Sequence, residues 1–308
     1  MQKTIYIIGY GAVGKALAVS LTLSGRKVII LRGRPDNTLS RVENVQVDTP
    51  GKPLLEAKIE INTVDNFQQL DGIVVLTNKS YGNGSLAEAL KNKTGNSPVV
   101  LLQNGLGVEQ VFTQNGFPEV YRCVLFITSQ AVSANRVSYK PVAISPIGIV
   151  SNKSTTLDAV VEALNTPSFP FKVETDIEPI IWKKAIANSV FNSICPLLDT
   201  DNGIFQRDAS ALEMAKRIIK ECVGVARAKG VELTEEEVTE SVLLISRLSD
   251  GQLISTLQDI NNNRKTEIDT LNFQIVEIAK TVNKADDVKE TRLLGELTRL
   301  KSELKMSR

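Results

Sequence analysis

The sequence predicts an α/β protein, with an N-terminal doubly wound domain followed by an all-helical C-terminal domain. Up to about residue 170, short β-rich runs alternate with helical patterns, which is typical of a parallel sheet covered by helices. From about residue 177 the apolar residues recur with a helical period. A chain of 308 residues readily forms two domains. We therefore expect one domain over residues 1–170 and a second over residues 171–308.

The elements of the first domain follow from apolar runs and turn residues. "TIYIIG" is a predicted buried strand, and "AVGKALAVSLTLSG" is a predicted helix with Gly25 as its C-cap. Three more apolar runs are predicted strands: "KVIIL", "GIVVLTNK" and "PVVLLQNG". Residues 121–150 hold β-rich runs with polar interruptions and prolines, which favours antiparallel additions. The helix "LDAVVEALN" and the strand "FKVETD" complete the domain.

The second domain is predicted as a series of helices. A long, nearly all-apolar helix comes first, "IWKKAIANSVFNSICPLL". "EMAKRIIKECVGVARAKG" is amphipathic and ends at Gly230, and the next helix opens with Thr234 and Glu237 in capping-box spacing. "TEIDTLNFQIVEIAKTV" and "VKETRLLGELTRLKSEL" are the last two predicted helices.

Composition excludes several classes of protein and of chemistry. A net charge of +1 gives no electrostatic reason to expect a nucleic acid or membrane partner, and we predict neither. There is no transmembrane or signal-peptide pattern, so we expect a cytoplasmic protein. The three cysteines are widely spaced and predict neither a disulfide frame nor a metal site. Because the sequence contains no histidine, any proton donor must be Lys, Asp, Glu, Tyr or Cys.

A glycine loop lies between the first strand and the first helix. Gly9, Gly11 and Gly14 form G-x-G-x-x-G, with Tyr10, Ala12 and Val13 between them. In a strand–turn–helix this motif is typical of dinucleotide binding by a Rossmann-type domain. The first glycine permits the turn, the second lets the pyrophosphate approach the backbone, and the third lets helix and strand pack closely. The alternative is a glycine-rich turn without a ligand.

The end of the second strand indicates which dinucleotide binds. NAD-specific sites place an acidic residue there, but this strand ends "VIILRGRPD". Arg32 and Arg34 stand where the acid would be, and guanidinium groups suit a 2′-phosphate. We therefore predict NADPH/NADP+ as the cofactor, with the choice between the two arginines left open. The alternative is two solvated arginines on a loop.

Two other strand ends carry polar residues. Lys79 follows "GIVVLTN", and Asn104 follows "PVVLLQ". Ligands of open α/β sheets bind at the carboxyl ends of strands, so both residues are candidates for binding. Ordinary loop chemistry is an equal alternative, since Asn-Gly is a common turn.

The long apolar helix carries an unexpected polar stripe. Lys184, Asn188 and Asn192 recur every four residues and fall within about 80° of each other on a helix. A lysine in a buried setting is a good proton donor near neutral pH, because burial lowers its pKa. The alternative is that Lys184 reaches water beside Lys183 while the asparagines cap neighbouring backbone.

A second polar group lies in "ISTLQDINNNRKTEIDTLN". In one continuous helix Ser255 and Glu267 would be about 18 Å apart and could not serve one small ligand. "NNNRK" is a poor helix interior, however, and Thr266 with Asp269 has the pattern of a new N-cap. We expect a helix ending near Asp259, a loop, and a restart at Thr266. A solvated polar loop is the alternative.

These motifs together resemble the ketopantoate reductases (2-dehydropantoate 2-reductases). The resemblance spans nearly the whole chain and is carried by "GYGAVG", "NKS", "LLQNGLG", "WKKAIANSVFNS", "DNG" and "STLQDINNNRKTEID". It implies a Rossmann-type NADP-binding domain, a helical substrate and catalytic domain, and NADPH-dependent reduction of 2-dehydropantoate to (R)-pantoate on the route to pantothenate and coenzyme A.

The resemblance also implies residue roles. Lys184 matches the proton donor. The matching substrate contacts are Asn104, Asn188, Asn192, Asn202 and Ser255. On the cofactor side it points to Lys79, Asn104 and Glu267, with Ala131 as a backbone contact.

Departures from the family pattern, such as Ile204 where a glutamate is frequent, leave the keto acid open. Another branched 2-keto acid is the nearest alternative substrate, and a non-catalytic NADP-sensing regulator is the alternative of a different class. The expected partner is a small 2-keto acid. A homodimer is the candidate assembly.

Overall fold

The computed structural model describes residues 3–32, 40–150 and 156–307. The chain forms two compact units. The first, here called the sheet unit, comprises residues 1–104 and 108–177, and the second, the helical unit, comprises residues 105–107 and 178–308. The division after Ile177 lies a little beyond the predicted residue 170, because β11 (Phe171–Val173) still pairs with the sheet.

The sheet unit has eleven strands in the part of the chain that the structure describes. They are β1 (Thr4–Ile8), β2 (Val28–Arg32), β3 (Arg41–Asp48), β4 (Leu55–Thr63), β5 (Gly72–Leu76), β6 (Val99–Leu101), β7 (Val120–Cys123), β8 (Ile127–Ala131), β9 (Arg136–Pro141), β10 (Ser145–Ile149) and β11. The helices are α1 (Ala12–Leu23), α2 (Asn83–Leu90), α3 (Gln110–Gln114) and α4 (Leu157–Leu164).

The strands form one mixed sheet in the order β11-β10-β7-β6-β5-β1-β2-β4-β3-β9-β8. Strand β1 pairs in parallel with β2 on one side and with β5 on the other. The chain therefore winds outward from β1 in both directions, and the carboxyl ends of β1 and β5 meet where the winding reverses. In open α/β sheets this is the position at which ligands bind.

Alternating residues of β1 enter cores on both faces of the sheet. Ile5 and Ile7 pack in a cluster with residues of α1 and α4, whereas Tyr6 and Ile8 pack in a cluster with residues of α2 and α3. Helices thus cover both faces, which confirms the doubly wound prediction.

The predicted strands at β1, β2, β5, β6 and β11 are confirmed, as is helix α4. The segment 121–150 is more mixed than predicted. It contains the antiparallel pairs β7/β10 and β8/β9, but β7 also pairs in parallel with β6, and β9 with β3. Strands β3 and β4 were not predicted. They alternate charged and apolar residues. Their place in the sheet depends on β2, which pairs in parallel with β4.

The helical unit is built around one long helix. Its elements are α5 (Glu178–Leu197), α6 (Ile204–Arg207), α7 (Ala209–Ala228), α8 (Glu235–Leu248), α9 (Ser255–Asn261), α10 (Asn272–Thr281) and α11 (Lys289–Met306). Short 3-10 turns span Ile268–Thr270 and Ala285–Asp287. Helix α5 contacts α7, α8, α9 and α11, as expected for a helix that is apolar almost all round. None of the described helices has the length and apolar composition needed to cross a membrane.

Two sequence signals in this unit are confirmed by cap geometry. Helix α7 stops at Ala228, and Gly230 follows with a φ of 88°. At the start of α8, Thr234 and Glu237 exchange the two hydrogen bonds of a capping box.

Helix α11 is held to the helical unit along one face and at two points. The buried face consists of the small residues Thr291, Gly295, Thr298 and Ser302. At the N-terminus the Glu221 carboxylate accepts hydrogen bonds from the backbone N–H groups of Glu290 (3.0 Å) and Thr291 (2.8 Å). Near the C-terminus Lys301 Nζ donates to the Pro196 carbonyl (2.5 Å) and to Asp199 (2.6 Å). The helix is therefore fixed in its rotation about its own axis.

Candidate functional site

The glycine loop has the steric requirements that the motif predicts. Gly9 has a φ of 125°, and a Cβ there would lie 2.5 Å from Thr77 Oγ1 and 2.7 Å from the Asn78 nitrogen. A Cβ at Gly14 would lie 2.1 Å from the Gly9 carbonyl oxygen. At Gly11, in contrast, a Cβ would meet nothing within 4 Å. Gly9 and Gly14 are thus required by the protein's own packing, whereas Gly11 leaves room for a ligand.

Thr77, which sequence reasoning missed, braces this loop. Its Oγ1 donates to the carbonyl oxygens of Ile8 and Gly9, each at 3.2 Å, and its backbone N–H donates to Ile8 at 2.8 Å. The available signal was its position directly after β5, the strand that pairs with β1. Thr77 therefore ties the turn after β1 to the end of β5.

The N-terminus of α1 suits an anion. Gly11 is the N-cap and provides no side-chain oxygen, and the first turn, with Ala12 and Val13, contains no acidic residue. The first backbone N–H groups and the positive end of the helix dipole are therefore left for a ligand phosphate. With the open space at Gly11 and the guanidinium of Arg32 at the end of β2, these residues fit a phosphorylated dinucleotide.

The Tyr10 side chain points into a polar cluster with β3 and the β8–β9 turn. Its hydroxyl donates to Glu43, and also to Asn135 Oδ1 at 2.9 Å. Lys15 Nζ lies 3.9 Å from the centroid of the Tyr10 ring and donates to the Ala134 carbonyl at 2.5 Å. Burial, followed by the Glu43 carboxylate, raises the pKa of Tyr10 above its ordinary value. The hydroxyl therefore stays protonated and fixes the tyrosine within the glycine loop.

The arginines and Ala131 are placed only in part. Arg32 is the last residue of β2 and is half-buried. Arg34 lies outside the described residues. Ala131 ends β8, where it is exposed and pairs with Val137 of β9.

Lys79 and Asn104 follow the adjacent parallel strands β5 and β6. The buried side-chain amides of Gln103 and Asn83 bond to each other and support the backbone beside Lys79. Gln103 Nε2 donates to the Asn78 carbonyl (2.9 Å) and to Asn83 Oδ1 (2.8 Å), and Asn78 Nδ2 donates to the Lys79 carbonyl (3.0 Å). Lys79 is half-buried and Asn104 is exposed.

The polar stripe of α5 forms as predicted and runs from partial to full burial. Lys184 and Asn188 are half-buried, and Asn192 is 3% exposed. The carboxamide of Asn188 makes no hydrogen bond within the described residues, so it is available to a ligand.

The structure brings Asn192 and Ser255 together. Asn192 Oδ1 accepts from Ser255 Oγ and from the Thr256 backbone N–H, both at 3.3 Å, while its Nδ2 donates to the Asn188 carbonyl at 2.8 Å. The Asn192 carboxamide thus joins the stripe of α5 to the first turn of α9. As a donor to Asn192, the Ser255 hydroxyl keeps its lone pairs as acceptors.

The predicted break between Ser255 and Glu267 is confirmed, but the predicted restart is wrong. Helix α9 ends at Asn261, and Asn263 follows with a φ of 52°. Thr266 is buried and caps nothing, and the chain instead makes the 3-10 turn before α10 begins at Asn272. Glu267 precedes that turn and is half-buried. The polar residues correctly predicted a break in the helix. The position at which the helix resumes follows the burial of Ile268 and Leu271, which lie just before Asn272.

Asn202 lies in a loop whose backbone is held by hydrogen bonds on both sides. Its backbone N–H donates to the Gln252 carbonyl at 2.9 Å, and its carbonyl accepts from Ser246 Oγ at 2.7 Å. The residue is 6% exposed, and its side-chain Oδ1 has no hydrogen-bond partner in the described part of the chain. A buried acceptor held in this way suits a ligand that donates a hydrogen bond.

Asp201 and Arg207 hold that loop, and sequence reasoning missed both. Asp201 Oδ1 accepts from the backbone N–H groups of Gly203 (2.7 Å) and Gly251 (3.2 Å), and Arg207 donates to Asp201 Oδ2 at 2.8 Å. Arg207, followed by the backbone donors, lowers the pKa of Asp201 to about 2. The only signal in the sequence was the "DNG" motif itself, since Gly251 is distant along the chain.

Comparison with known proteins follows the same division of the chain. Residues 5–161 match the family model described as "Ketopantoate reductase PanE/ApbA", and residues 176–300 match "Ketopantoate reductase PanE/ApbA C terminal". A 2-dehydropantoate 2-reductase of Streptococcus pyogenes is 31% identical over 87% of this chain and 88% of its own.

Two solved structures share the fold. The ternary structure of D-mandelate dehydrogenase with NADH and anilino(oxo)acetate has a TM-score of 0.85 at 23% identity, covering 98% of this chain and 99% of the other. Dimeric ketopantoate reductase from Staphylococcus aureus has a TM-score of 0.81 at 18% identity, with the same coverage. At these identities the likeness concerns the fold alone.

Proposed function

Since the chain belongs to the ketopantoate reductase family, whose members are oxidoreductases acting on a CH–OH group, we propose that it reduces 2-dehydropantoate to (R)-pantoate with NADPH. The observation that carries this proposal is the stripe of Lys184, Asn188 and Asn192 on α5, joined to Ser255 of α9. This arrangement combines a proposed proton donor, Lys184, with amide and hydroxyl groups that can form hydrogen bonds to a keto acid.

The direct test is NADPH oxidation across a panel of 2-keto acids. The panel contains 2-dehydropantoate and, as a counterpart, a branched 2-keto acid without the hydroxyl. We expect the highest kcat/KM with 2-dehydropantoate. A higher value with the hydroxyl-free acid would assign the enzyme to another branched 2-keto acid, and no turnover of any acid would favour a regulator.

Ketopantoate reductases use NADPH, and the residues of the glycine loop fit it. We assign the pyrophosphate to the open side of Gly11 and the first turn of α1, and the 2′-phosphate to Arg32. When bound, the cofactor supplies a hydride to the carbonyl carbon of the keto acid. Lys79, Asn104, Ala131 and Glu267 are proposed as further cofactor contacts.

Lys184 is the proposed proton donor. As the carbonyl carbon receives the hydride, negative charge develops on the carbonyl oxygen. The Lys184 ammonium group donates a proton to that oxygen, which yields the hydroxyl of the product and leaves a neutral amine. Solvent then returns the proton to the lysine.

Three groups are proposed to hold the substrate. Asn188 has a carboxamide that offers both a donor and an acceptor, Asn202 offers a buried acceptor, and Ser255 offers the lone pairs of its hydroxyl. Asn192 acts on the substrate through Ser255, because its own carboxamide is bonded to α5 and α9. Asn192 is therefore a positioning residue in this proposal.

Arg32→Ala tests the cofactor assignment. We expect the unmodified enzyme to favour NADPH over NADH by at least about tenfold in kcat/KM, because the guanidinium pairs with the 2′-phosphate. The variant should lose most of that preference, with kcat/KM for NADH little changed. Equal use of the two cofactors by the unmodified enzyme would contradict the assignment.

Ser255→Ala tests the substrate contact. Leaving a substrate hydroxyl without its partner costs about 1–3 kcal/mol, so KM for 2-dehydropantoate should rise about 5- to 150-fold. Asn192→Ala should raise it in the same range by releasing Ser255. Both variants should lose much less with a 2-keto acid that lacks the hydroxyl. Equal losses on the two substrates would show that these residues do not recognise the hydroxyl.

Asp201→Asn tests the loop that presents Asn202. The variant weakens the bond to Arg207, so we expect KM for the keto acid to rise several-fold while the Kd of NADPH stays unchanged. Since the folded-state pKa of Asp201 is near 2 and the ordinary value is 3.8, its stabilising effect is full above about pH 5 and is lost as the pH falls toward 2. Melting temperatures of the two proteins should therefore converge as the pH falls from 5 to 2. A constant difference over that range would refute the role of the carboxylate.

We also propose that the chain forms a homodimer. The fold is shared with a ketopantoate reductase from Staphylococcus aureus that is described as dimeric. Sedimentation velocity on the purified protein measures this directly, and a single monomeric species at about 100 µM would refute it.

A further inference from the structure

We propose that the homodimer pairs through the exposed leucine face of α11, with the two copies of this helix parallel. This inference rests on the homodimer proposed above and adds the surface and the orientation. The leucine face consists of Leu293, Leu297, Leu300 and Leu304.

The four leucines form one narrow stripe. Their spacings along the chain are four, three and four residues, so they fall within about 60° on the helix. This is the spacing of the a and d positions of a coiled coil, with Leu297 and Leu304 at a and Leu293 and Leu300 at d. They are 54%, 41%, 50% and 56% exposed in chain order. Single exposed leucines are ordinary on protein surfaces, but a contiguous apolar stripe marks an interaction site.

The stripe does not belong to the core of the helical unit. The buried face of α11, made of Thr291, Gly295, Thr298 and Ser302, lies on the opposite side of the helix. Glu221 fixes the N-terminal end and Lys301 fixes the C-terminal part. Because these contacts prevent rotation of the helix, the leucines stay directed outward. A partner would therefore bind a surface that is already ordered, which lowers the entropic cost of association.

The charges beside the stripe favour a second copy of this chain. On one edge, at the g positions, are Glu296 and Glu303, and on the other edge are Lys301 and Lys305, with Lys301 at an e position. In a parallel pair the g positions of one helix face the e positions of the other, so Glu296 faces Lys301 of the second copy. The Lys301 ammonium gives two of its three N–H donors to Pro196 and Asp199 of its own unit, which leaves the third for Glu296. In an antiparallel pair the acidic edges would face each other. The stripe is therefore complementary to itself only in the parallel orientation.

The acidic edge also argues against an anionic membrane as the occupant. Helices that lie on membranes carry lysine and arginine along the border of their apolar face. Here Glu296 and Glu303 occupy that border on one side, and Arg292 and Arg299 lie farther round the helix.

The test is the double variant Leu297→Lys/Leu300→Lys, studied by sedimentation velocity beside the unmodified protein. Four like charges would meet at the centre of the interface, so we expect the dimer dissociation constant to rise at least 100-fold. Leu244→Lys/Leu248→Lys on α8 is the matched control. Those leucines are also one turn apart and are 44% and 57% exposed, and this control should keep the dimer. Circular dichroism of both variants checks that the fold is retained.

Orientation is read from Leu300→Cys, because a d position meets its own copy only in a parallel pair. Mild oxidation should give a covalent dimer in high yield, since the three native cysteines are buried. A dimer that survives the double lysine variant would overturn the proposed surface and leave the homodimer standing. A dimer that is lost in that variant but does not cross-link would overturn the parallel orientation. A monomeric unmodified protein would overturn the homodimer and the surface together, and the reductase assay would remain a separate test.

Discussion

Replacing Lys184 by alanine is expected to lower kcat by about 10²–10⁴-fold, the usual range for the loss of a general acid. The physical reason is that negative charge develops on the carbonyl oxygen, and the stripe of the variant keeps only the carboxamides of Asn188 and Asn192, which are not acids. The absence of histidine from the sequence limits the substitutes. NADPH should bind as before, which fluorescence titration of the variant checks, while stopped-flow measurement of a single turnover reports the chemical step.

Lys183→Ala is the matched control for this prediction. Lys183 neighbours Lys184 on the same helix and is also half-buried, but it is turned about 100° away from the stripe. Its loss removes the same charge and a similar length of side chain, so kcat should stay within about threefold of the original. Near-normal turnover by Lys184→Ala would refute the assignment, and Glu267 would become the candidate donor.

Replacing Gly14 by alanine is expected to weaken NADPH binding by about 10²-fold or more and to lower the melting temperature. The new Cβ would lie 2.1 Å from the Gly9 carbonyl oxygen, and a backbone atom cannot move aside as a side chain can. The glycine loop would have to shift, and with it the N–H groups that are proposed to bind the pyrophosphate. Titration of NADPH fluorescence and thermal unfolding measure the two effects on the same sample.

Gly11→Ala separates ligand binding from packing. A Cβ there meets no protein atom within 4 Å, and the φ of −86° is open to alanine. The melting temperature should therefore change little, while NADPH binding weakens at least about tenfold, since the methyl group occupies space assigned to the pyrophosphate. Gly224→Ala in α7, where a Cβ also meets nothing, should change neither binding nor activity. Unchanged NADPH binding by Gly11→Ala would place the cofactor elsewhere.

The parts of the fold that could be predicted from the sequence are those with a local cause. A buried parallel strand such as β5 is a continuous apolar run, and the capping box of Thr234 and Glu237 is contained in four residues. Strands β3 and β4 could not be predicted in this way. Their polar residues alternate with apolar ones, and their place in the sheet depends on the edge of β2, which no local pattern reveals.

The candidate site likewise has a part that could be predicted from local spacing and a part that could not. The stripe on α5 is a matter of helical spacing, so the residue order alone is enough to group Lys184, Asn188 and Asn192. The contact between Asn192 and Ser255 joins residues 63 positions apart. The hydrogen bond from Gly251 to Asp201, which holds the loop of Asn202, joins residues 50 positions apart. Such contacts depend on how helices pack, and spacing within one helix carries no information about them.

The buried oxygen of Asn202 places stability and function in opposition. An acceptor without a partner inside a folded protein costs about 1–3 kcal/mol, which is a large share of a typical stability of about 5–15 kcal/mol. The hydrogen bonds of Asp201 to Arg207, Gly203 and Gly251 hold the loop that carries this oxygen. An apolar side chain at position 202 removes the cost of the unpaired oxygen, so a screen for thermostable variants would select substitutions there. The same substitution would take away the acceptor proposed to meet the substrate, so the gain in melting temperature would come with a loss of affinity.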